Sequence, residues 1–348
     1  MVFQFAVCHM KRKTALKDIA QKVGVSTALV SYVLNNQEEE KRVGKDIAVK
    51  IRQVAIEMSY TTNQIAKSLK TRKTNTIGFI VADINYRFTS RVTKAIEAEC
   101  QKINLTVIYG SSGESAKKFF ELINVFIDKR VDGLILVPVE NCADQIEYLT
   151  KHEIPFVLID RILPDIQANI IAIDNEKAAF RVAMHLVKTD HKRISFVTYK
   201  SNLLNLLDRK KGYLAALDEA GLEKDPMLII ELDDQEIDEE ISRSIDRLLI
   251  LNPPCDSIFF ATETLAVKGL KHINALHVNV PEKLGVVSFD ESEAFELFYC
   301  PITYGCQPLE EIGRIAVNTL VDVMKHPKTR KTILLETGFH IGKSCGES

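Results

Sequence analysis

Leu16-Lys17-Asp18-Ile19-Ala20-Gln21-Lys22-Val23-Gly24-Val25-Ser26-Thr27-Ala28-Leu29-Val30-Ser31-Tyr32-Val33-Leu34-Asn35 decides how the amino-terminal part of this chain folds. Leu16, Ile19, Ala20 and Val23 recur at i, i+3, i+4 and i+7, the spacing of one helix face, with Thr14 placed to cap it. Gly24 interrupts that helix because it adopts a left-handed backbone without penalty, and Ser26 follows as the cap of the next. A second helix over 27–34 buries Val30, Val33 and Leu34, leaving Thr27, Ala28, Ser31 and Tyr32 on its other side. After a polar loop over 35–42, Ile47, Ile51, Val54, Ala55 and Met58 stripe a third helix over 45–58. Two short helices meeting at a small residue, Ala20, through a glycine turn form a helix-turn-helix, whose second helix enters the DNA major groove.

The charge agrees. Among the first 75 residues there are 14 Lys and Arg against 6 Asp and Glu, while the rest holds 31 against 41. The overall net charge of −2 therefore hides a basic head on an acidic body, the footprint of a nucleic-acid binder. The seven cysteines are odd in number and have no C-x-x-C pair, so they suggest neither a disulfide framework nor a thiolate metal site, and a reduced cytoplasmic setting is expected. The longest apolar runs fall far short of the roughly 20 residues of a membrane span. The apolar start, Met1 to Met10, lacks the basic flank and cleavage site of an export signal, and Met10 before Lys11-Arg12-Lys13 is an alternative start.

From Thr76 onward short β-branched runs at 77–81, 105–109, 133–137 and 156–159 alternate with amphipathic segments. A second series follows at 193–197, 228–232, 257–261 and 284–289. This is the rhythm of βαβ units, so the fold class is α/β, with two doubly wound parallel sheets and a ligand crevice at the carboxyl ends of their strands. Enzyme motifs fail. Gly342-Lys343-Ser344 lacks the glycine a phosphate loop needs at 337, where Thr stands, and His272 and His277 are five apart, off one helical face. Neither catalysis nor a cofactor is expected.

Leu16-Lys17-Asp18-Ile19-Ala20, Gly24-Val25-Ser26, Val30-Ser31-x-Val33-Leu34-Asn35, Asn63-x-x-Ala66-x-Ser68-Leu69 and Thr76-Ile77-Gly78 resemble the head and hinge of LacI/GalR-family transcriptional repressors. Phe156-Val157-Leu158-Ile159-Asp160-Arg161, Ile173-Asp174-Asn175, His191-Lys192-Arg193-Ile194, Arg209-x-x-Gly212-Tyr213, Val287-Ser288-Phe289-Asp290 and Gln307-Pro308 resemble that family's effector-binding core. The resemblance spans about residues 13–340. It implies a helix-turn-helix head over 13–60, a hinge helix within 61–75 and a two-lobed, periplasmic-binding-protein-like core over 76–348. The first lobe would take about 76–173 plus 305–329, and the second about 174–304 plus 330–348.

The resemblance also implies residue roles. Thr27, Ala28 and Tyr32 would read bases while Ser26 and Ser31 bond phosphates; many relatives carry Arg at the position of Tyr32, so a relaxed guanine preference is expected here. In the hinge, Asn63 would cap, Ala66 would permit close approach, Lys67 and Lys70 would flank, and Leu69 would wedge into the minor groove. Such a short helix is expected to form only on DNA. Thr62 replaces a proline common in relatives. Glu38-Glu39-Glu40 would repel the duplex unless the loop turns away or Lys41 and Arg42 screen it.

The effector site would use Tyr86, Arg87, Phe88, Asp160, Arg161, Arg209, Thr262, Asp290 and Gln307. Arg209 offers a fork of donors and Asp290 an acceptor. Thr262-Glu263 stands where relatives often carry Asn-Asp, which alters specificity. Arg87 is an extra cation that would favour an acidic sugar or sugar phosphate if it faces the cleft, and Asp160-Arg161 would either line the cleft or pair with each other. The expected whole is a homodimeric repressor on a pseudopalindromic double-stranded operator, controlled by a carbohydrate effector. No membrane association is expected and, without a heptad repeat, no tetramerising tail is expected; tetramerisation by other surfaces is left open. The competing classes, an exported sugar-binding receptor and a metabolic enzyme, would need an export signal or a positioned nucleophile or metal cluster.

Overall fold

The computed structural model describes residues 14–60, 73–233, 236–327 and 330–346, and divides into two compact units meeting at Thr74–Asn75. In the first unit, α1 (Leu16–Val23), α2 (Thr27–Leu34) and α3 (Lys45–Glu57) enclose a small core of Ile19, Ala20, Val30, Val33, Ile51 and Val54. Gly24 ends α1 at φ 81°, the left-handed turn expected, and the Ser26 hydroxyl accepts from the Leu29 N–H at 3.2 Å to cap α2. Thr14 is not the cap of α1. The helix begins at Leu16, so the Asp18 carboxylate takes the Ala15 N–H at 2.8 Å instead, and the Thr14 hydroxyl ties the carbonyl of Met58 at 2.8 Å. The buried stripe of α3 is also shifted, to Ala48, Ile51, Val54 and Ala55, with Ile47 on the flank of the helix and 37% exposed.

The second unit holds two six-stranded sheets. The first lobe contains β1 (Thr76–Val81), α4 (Arg87–Lys102), β2 (Thr106–Ser111), α5 (Ala116–Asp128), β3 (Gly133–Leu136), α6 (Ala143–Lys151), β4 (Phe156–Ile159) and β5 (Ile170–Ile173). The chain then enters the second lobe with α7 (Asn175–Lys188), β6 (Ile194–Tyr199), α8 (Leu204–Glu219), β7 (Ile229–Leu232), α9 (Ile237–Ile250), β8 (Ser257–Phe260), α10 (Glu263–Ala275), β9 (Gly285–Phe289) and β10 (Thr303–Cys306). It returns to the first lobe with α11 (Leu309–Lys325) and β11 (Thr332–Leu335), then closes with β12 (Gly338–His340) in the second.

The strand orders are β11-β5-β4-β3-β1-β2 and β12-β10-β9-β8-β6-β7, parallel throughout except for the antiparallel β10–β12 pair. The expected return segment, 305–329, differs from the one observed: β10 belongs to the second sheet through Cys306, and β11 pairs with β5 of the first sheet through Leu335. The middle strands are buried along their whole length because helices cover both faces of each sheet. Each order reverses beside its first strand, β1 or β6, and that is where a crevice opens beyond the carboxyl ends.

Candidate functional site

In the head, Thr27, Ala28, Ser31 and Tyr32 occupy one side of α2, with Thr27 and Ala28 exposed and Ser31 and Tyr32 half-buried. Their spacing of one, four and five residues puts all four on one helical face. Ser26 is exposed despite its capping bond, so its hydroxyl stays accessible at the helix start, where unpaired N–H groups favour an anion. The acidic loop is tamed by a residue the sequence did not single out: Arg52 of α3 pairs with Glu38, donates to the Asn36 side chain at 3.0 Å and holds the Glu38 carboxyl below the usual carboxylate range. Lys41 pairs with Glu40 at 2.6 Å and lies 6.0 Å from the centre of the Tyr32 ring. Thr62, Asn63, Ala66, Lys67, Leu69 and Lys70, and the hinge helix with them, lie outside the described residues.

Between the two lobes of the second unit lies a cavity of about 340 Å³. Tyr86, Arg87, Phe88, Asp160, Arg161, Arg209, Thr262, Asp290 and Gln307 all line it. The reason is topological: Asp160 and Arg161 follow β4, Thr262 follows β8, Asp290 follows β9, Gln307 follows β10, and Tyr86 to Phe88 open α4 after β1. Asp160 and Asp290 stand at matching strand ends with left-handed φ of 70° and 69°.

Arg209 is buried and held from three sides. Its Nε donates to Asn175 Oδ1 at 2.9 Å, its Nη1 donates to the Ala261 carbonyl at 2.7 Å, and its guanidinium carbon lies 3.6 Å from the centre of the Phe289 ring. Asp290 Oδ2 accepts from Gln307 at 3.2 Å and stands 4.0 Å from Arg209 Nη1. That gap is too long for a hydrogen bond. Burial accordingly dominates both groups: it pushes Asp290 up to about 6 and lowers Arg209, despite their mutual attraction. Burial likewise raises Asp160.

Arg161 pairs chiefly with neither the cavity nor its neighbour. Its guanidinium donates to both carboxylate oxygens of Glu114, at 2.8 and 2.6 Å, and to the Pro138 carbonyl at 2.9 Å, while Asp160 lies 3.6 Å from its Nε. Arg87 reaches the cavity wall, but its guanidinium is paired at 2.7 Å with Glu293 of the opposite lobe, so the free cation that would favour an acidic sugar is not there. Arg91 pairs across the lobes with Glu291, and Glu140 of the first lobe accepts from the Asn202 N–H of the second at 2.8 Å.

Residues 15–63 match the family described as bacterial regulatory proteins, lacI family, and residues 183–345 match the periplasmic binding protein-like domain. The ribose operon repressor of Haemophilus influenzae is 29% identical, over 92% of this chain and 95% of that protein. A solved lac repressor dimer bound to operator and the anti-inducer ONPF superimposes with a TM-score of 0.85 at 18% identity, covering 97% of this chain and all of the other. A complex of the transcriptional regulator CelR with cellobiose superimposes at 0.70 and 24% identity, over 95% of this chain and all of that one.

The chain carries the helix-turn-helix domain of the LacI family joined to a periplasmic-binding-protein-like domain. It is a DNA-binding transcriptional regulator. No helix among the described residues is long and apolar enough to cross a membrane.

In this chain the sequence overlooked Arg52, Glu114, Arg91 and Glu140. Glu114 and Glu140 left a trace, since each lies just past the carboxyl end of a strand, β2 or β3, where the crevice rule looks for ligand residues. Arg52 and Arg91 left none. Each is one of several charges on an amphipathic helix, singled out only by a partner distant in sequence.

Proposed function

We propose that this regulator represses transcription from a reduced cytoplasm as a two-fold dimer. The head over 13–60 reads operator half-sites with Thr27, Ala28 and Tyr32 and grips phosphates with Ser26 and Ser31. The hinge over 61–75, with Asn63, Ala66, Lys67, Leu69 and Lys70, engages the minor groove. The family assignment, the exposed polar face of α2 and the likeness to an operator-bound repressor dimer support this reading. Two-fold symmetry matches a pseudopalindromic operator, one head per half-site.

A small polyhydroxylated molecule held in the interlobe cavity controls operator affinity. The observation that carries this is the 4.0 Å gap between the Arg209 fork and the Asp290 carboxylate. A hydroxyl seated between them accepts from the guanidinium and donates to the carboxylate, satisfying both at once. Arg209 is already oriented by Asn175, Ala261 and Phe289, so little ordering cost falls on binding. Because Asp160 and Arg161 come from one lobe and Arg209, Thr262 and Asp290 from the other, a ligand touching both sets favours the closed pair of lobes. It changes operator affinity by its differential affinity for the two states, typically ~1–3 kcal/mol.

Two measurements test the proposal. In a gel-shift titration with roughly 6–10 phosphate contacts, affinity falls about 10³–10⁵-fold between 50 and 200 mM salt, and a flat response refutes the DNA grip. In a thermal-shift screen of pentoses, hexoses and disaccharides, any stabilising sugar loses its effect in Arg209→Ala. A sugar that stabilises that variant equally refutes the cavity.

A further inference from the structure

Six carboxylates and five cations line the cavity, and the cations are not equivalent. Lys200 stands exposed at the rim, Arg87 is paired with Glu293 of the opposite lobe, and Arg91 is shared between Glu291 of that lobe and a single oxygen of Glu310 of its own at 3.3 Å. Arg209 keeps its fork toward Asp290. Arg161 alone is neutralised from within its own lobe by a bidentate carboxylate, that of Glu114, and its side chain is only 9% exposed.

Glu114 is delivered to that place by an anchored loop. The Glu114 N–H donates to the Ala82 carbonyl at 3.0 Å, and the fully buried Ser112 hydroxyl donates to the carbonyls of Val81 and Ala82, both at 3.1 Å. This pins the turn after β2 against the end of β1. Glu114 itself sits at φ 56°, a conformation that favours Gly, Asn or Asp, so a glutamate there is held against its backbone preference. Strain of this kind persists where the surroundings over-determine a residue, often at a ligand site. Burial alone would weaken the Arg161 charge; the Glu114 hydrogen bonds and charge more than reverse that.

We infer that Glu114 sets the charge selectivity of the cavity: by occupying the Arg161 fork it makes the site accept neutral polyhydroxylated ligands and reject anionic ones such as uronates and sugar phosphates. The inference rests on the cavity being the effector site. An anionic group approaching the Arg161 wall meets the Glu114 carboxylate, 29% exposed, and must displace a two-point ion pair to reach the guanidinium. A hydroxyl carries no charge to be repelled and needs no fork.

The test titrates sulfate and D-glucuronate into the full chain at constant ionic strength by calorimetry. Glu114→Gln is expected to bind both at least tenfold more tightly than the wild type, and Glu114→Gln combined with Arg161→Gln is expected to lose that gain. Equal anion affinity in wild type and Glu114→Gln, or a gain that survives removal of Arg161, overturns the inference. Should Glu114→Gln fail to fold, Glu114→Asp keeps the charge but shortens the reach and is expected to gain a few-fold; no gain there overturns the inference too. A gain in Glu114→Gln while no sugar alters operator binding supports the selectivity role of Glu114 and refutes the effector reading of the cavity.

Discussion

Tyr32 carries one hydroxyl and one ring onto the face of α2 proposed to read bases, at a position where the family resemblance implies a guanidinium in many members. A guanidinium bonds guanine bidentately, a contact worth ~1–3 kcal/mol of discrimination, whereas tyrosine offers one hydrogen bond and an apolar surface for a thymine methyl. Operator selection from a random library is expected to return no strict guanine at the step Tyr32 contacts, and Tyr32→Arg to restore one. Recovery of an invariant guanine with the wild type contradicts this.

Asp290 has a pH signature. Burial lifts it from a usual value of 3.8 to about 6, with Arg209 and Gln307 pulling weakly the other way. Between those values the folded chain holds a proton that the unfolded chain has lost, so this stabilising term is complete below about 3.8 and is lost as pH rises through about 6. A hydroxyl donating to Asp290 needs the ionised carboxylate. Effector affinity should therefore fall as pH drops through about 6, by about tenfold one unit below it, with proton release on binding. Calorimetry in buffers of different ionisation enthalpy measures both; pH-independent affinity from 5 to 8 rules out this role for Asp290.

Among the elements, the α7–α8 pair shows how far local pattern carries. Arg209-x-x-Gly212-Tyr213 is visible in the sequence, and α8 presents Arg209 to the cavity while the Tyr213 hydroxyl donates to the Ile194 carbonyl at 2.8 Å beneath it. Gly212 lies against α7, where an added Cβ would stand 2.1 Å from the Glu176 carbonyl oxygen and 2.8 Å from the Phe180 nitrogen. Both are backbone atoms that cannot swing aside. Gly212→Ala should therefore lower stability by ~1–3 kcal/mol or more and weaken effector binding through displacement of Arg209. Denaturant unfolding with a ligand titration checks both, and an unchanged midpoint sinks the packing account.

Most of the elements were legible because their periodicity is local. The head showed its glycine turn and the Ser26 cap, and the eight strands read from β-branched runs are all present. β5, β10, β11 and β12, of three or four residues each, were not read from the sequence.

At the scale of the whole molecule, the two lobes of the core are joined across their mouth by Arg87–Glu293, Arg91–Glu291 and the Glu140–Asn202 hydrogen bond. Partly exposed ion pairs are individually weak and screened by salt, so the closed arrangement they favour is poised rather than locked. Arg87→Ala combined with Arg91→Ala should open the lobes. Small-angle scattering of the ligand-free protein is expected to show a larger radius of gyration at low salt and a smaller difference from wild type at high salt; identical profiles would mean the pairs do not hold the lobes.

Residue order alone was enough to specify the helix-turn-helix head, the basic-on-acidic charge division and the α/β class, and the resemblance of its motifs to a known family implied the polar residues that line the cavity. Periodicity, composition and short motifs are local properties, which a chain carries along its own length. The partners of those residues were decided only by the tertiary structure. Arg161 and Glu114 are 47 residues apart, and Arg87 meets a glutamate from the other lobe. The chain crosses between lobes near 174, 307 and 336, and strand order sets which charges face one another across the crevice. Whether a cation in that wall is free to bind an anion or already neutralised depends on those long-range pairings, and no local pattern encodes them.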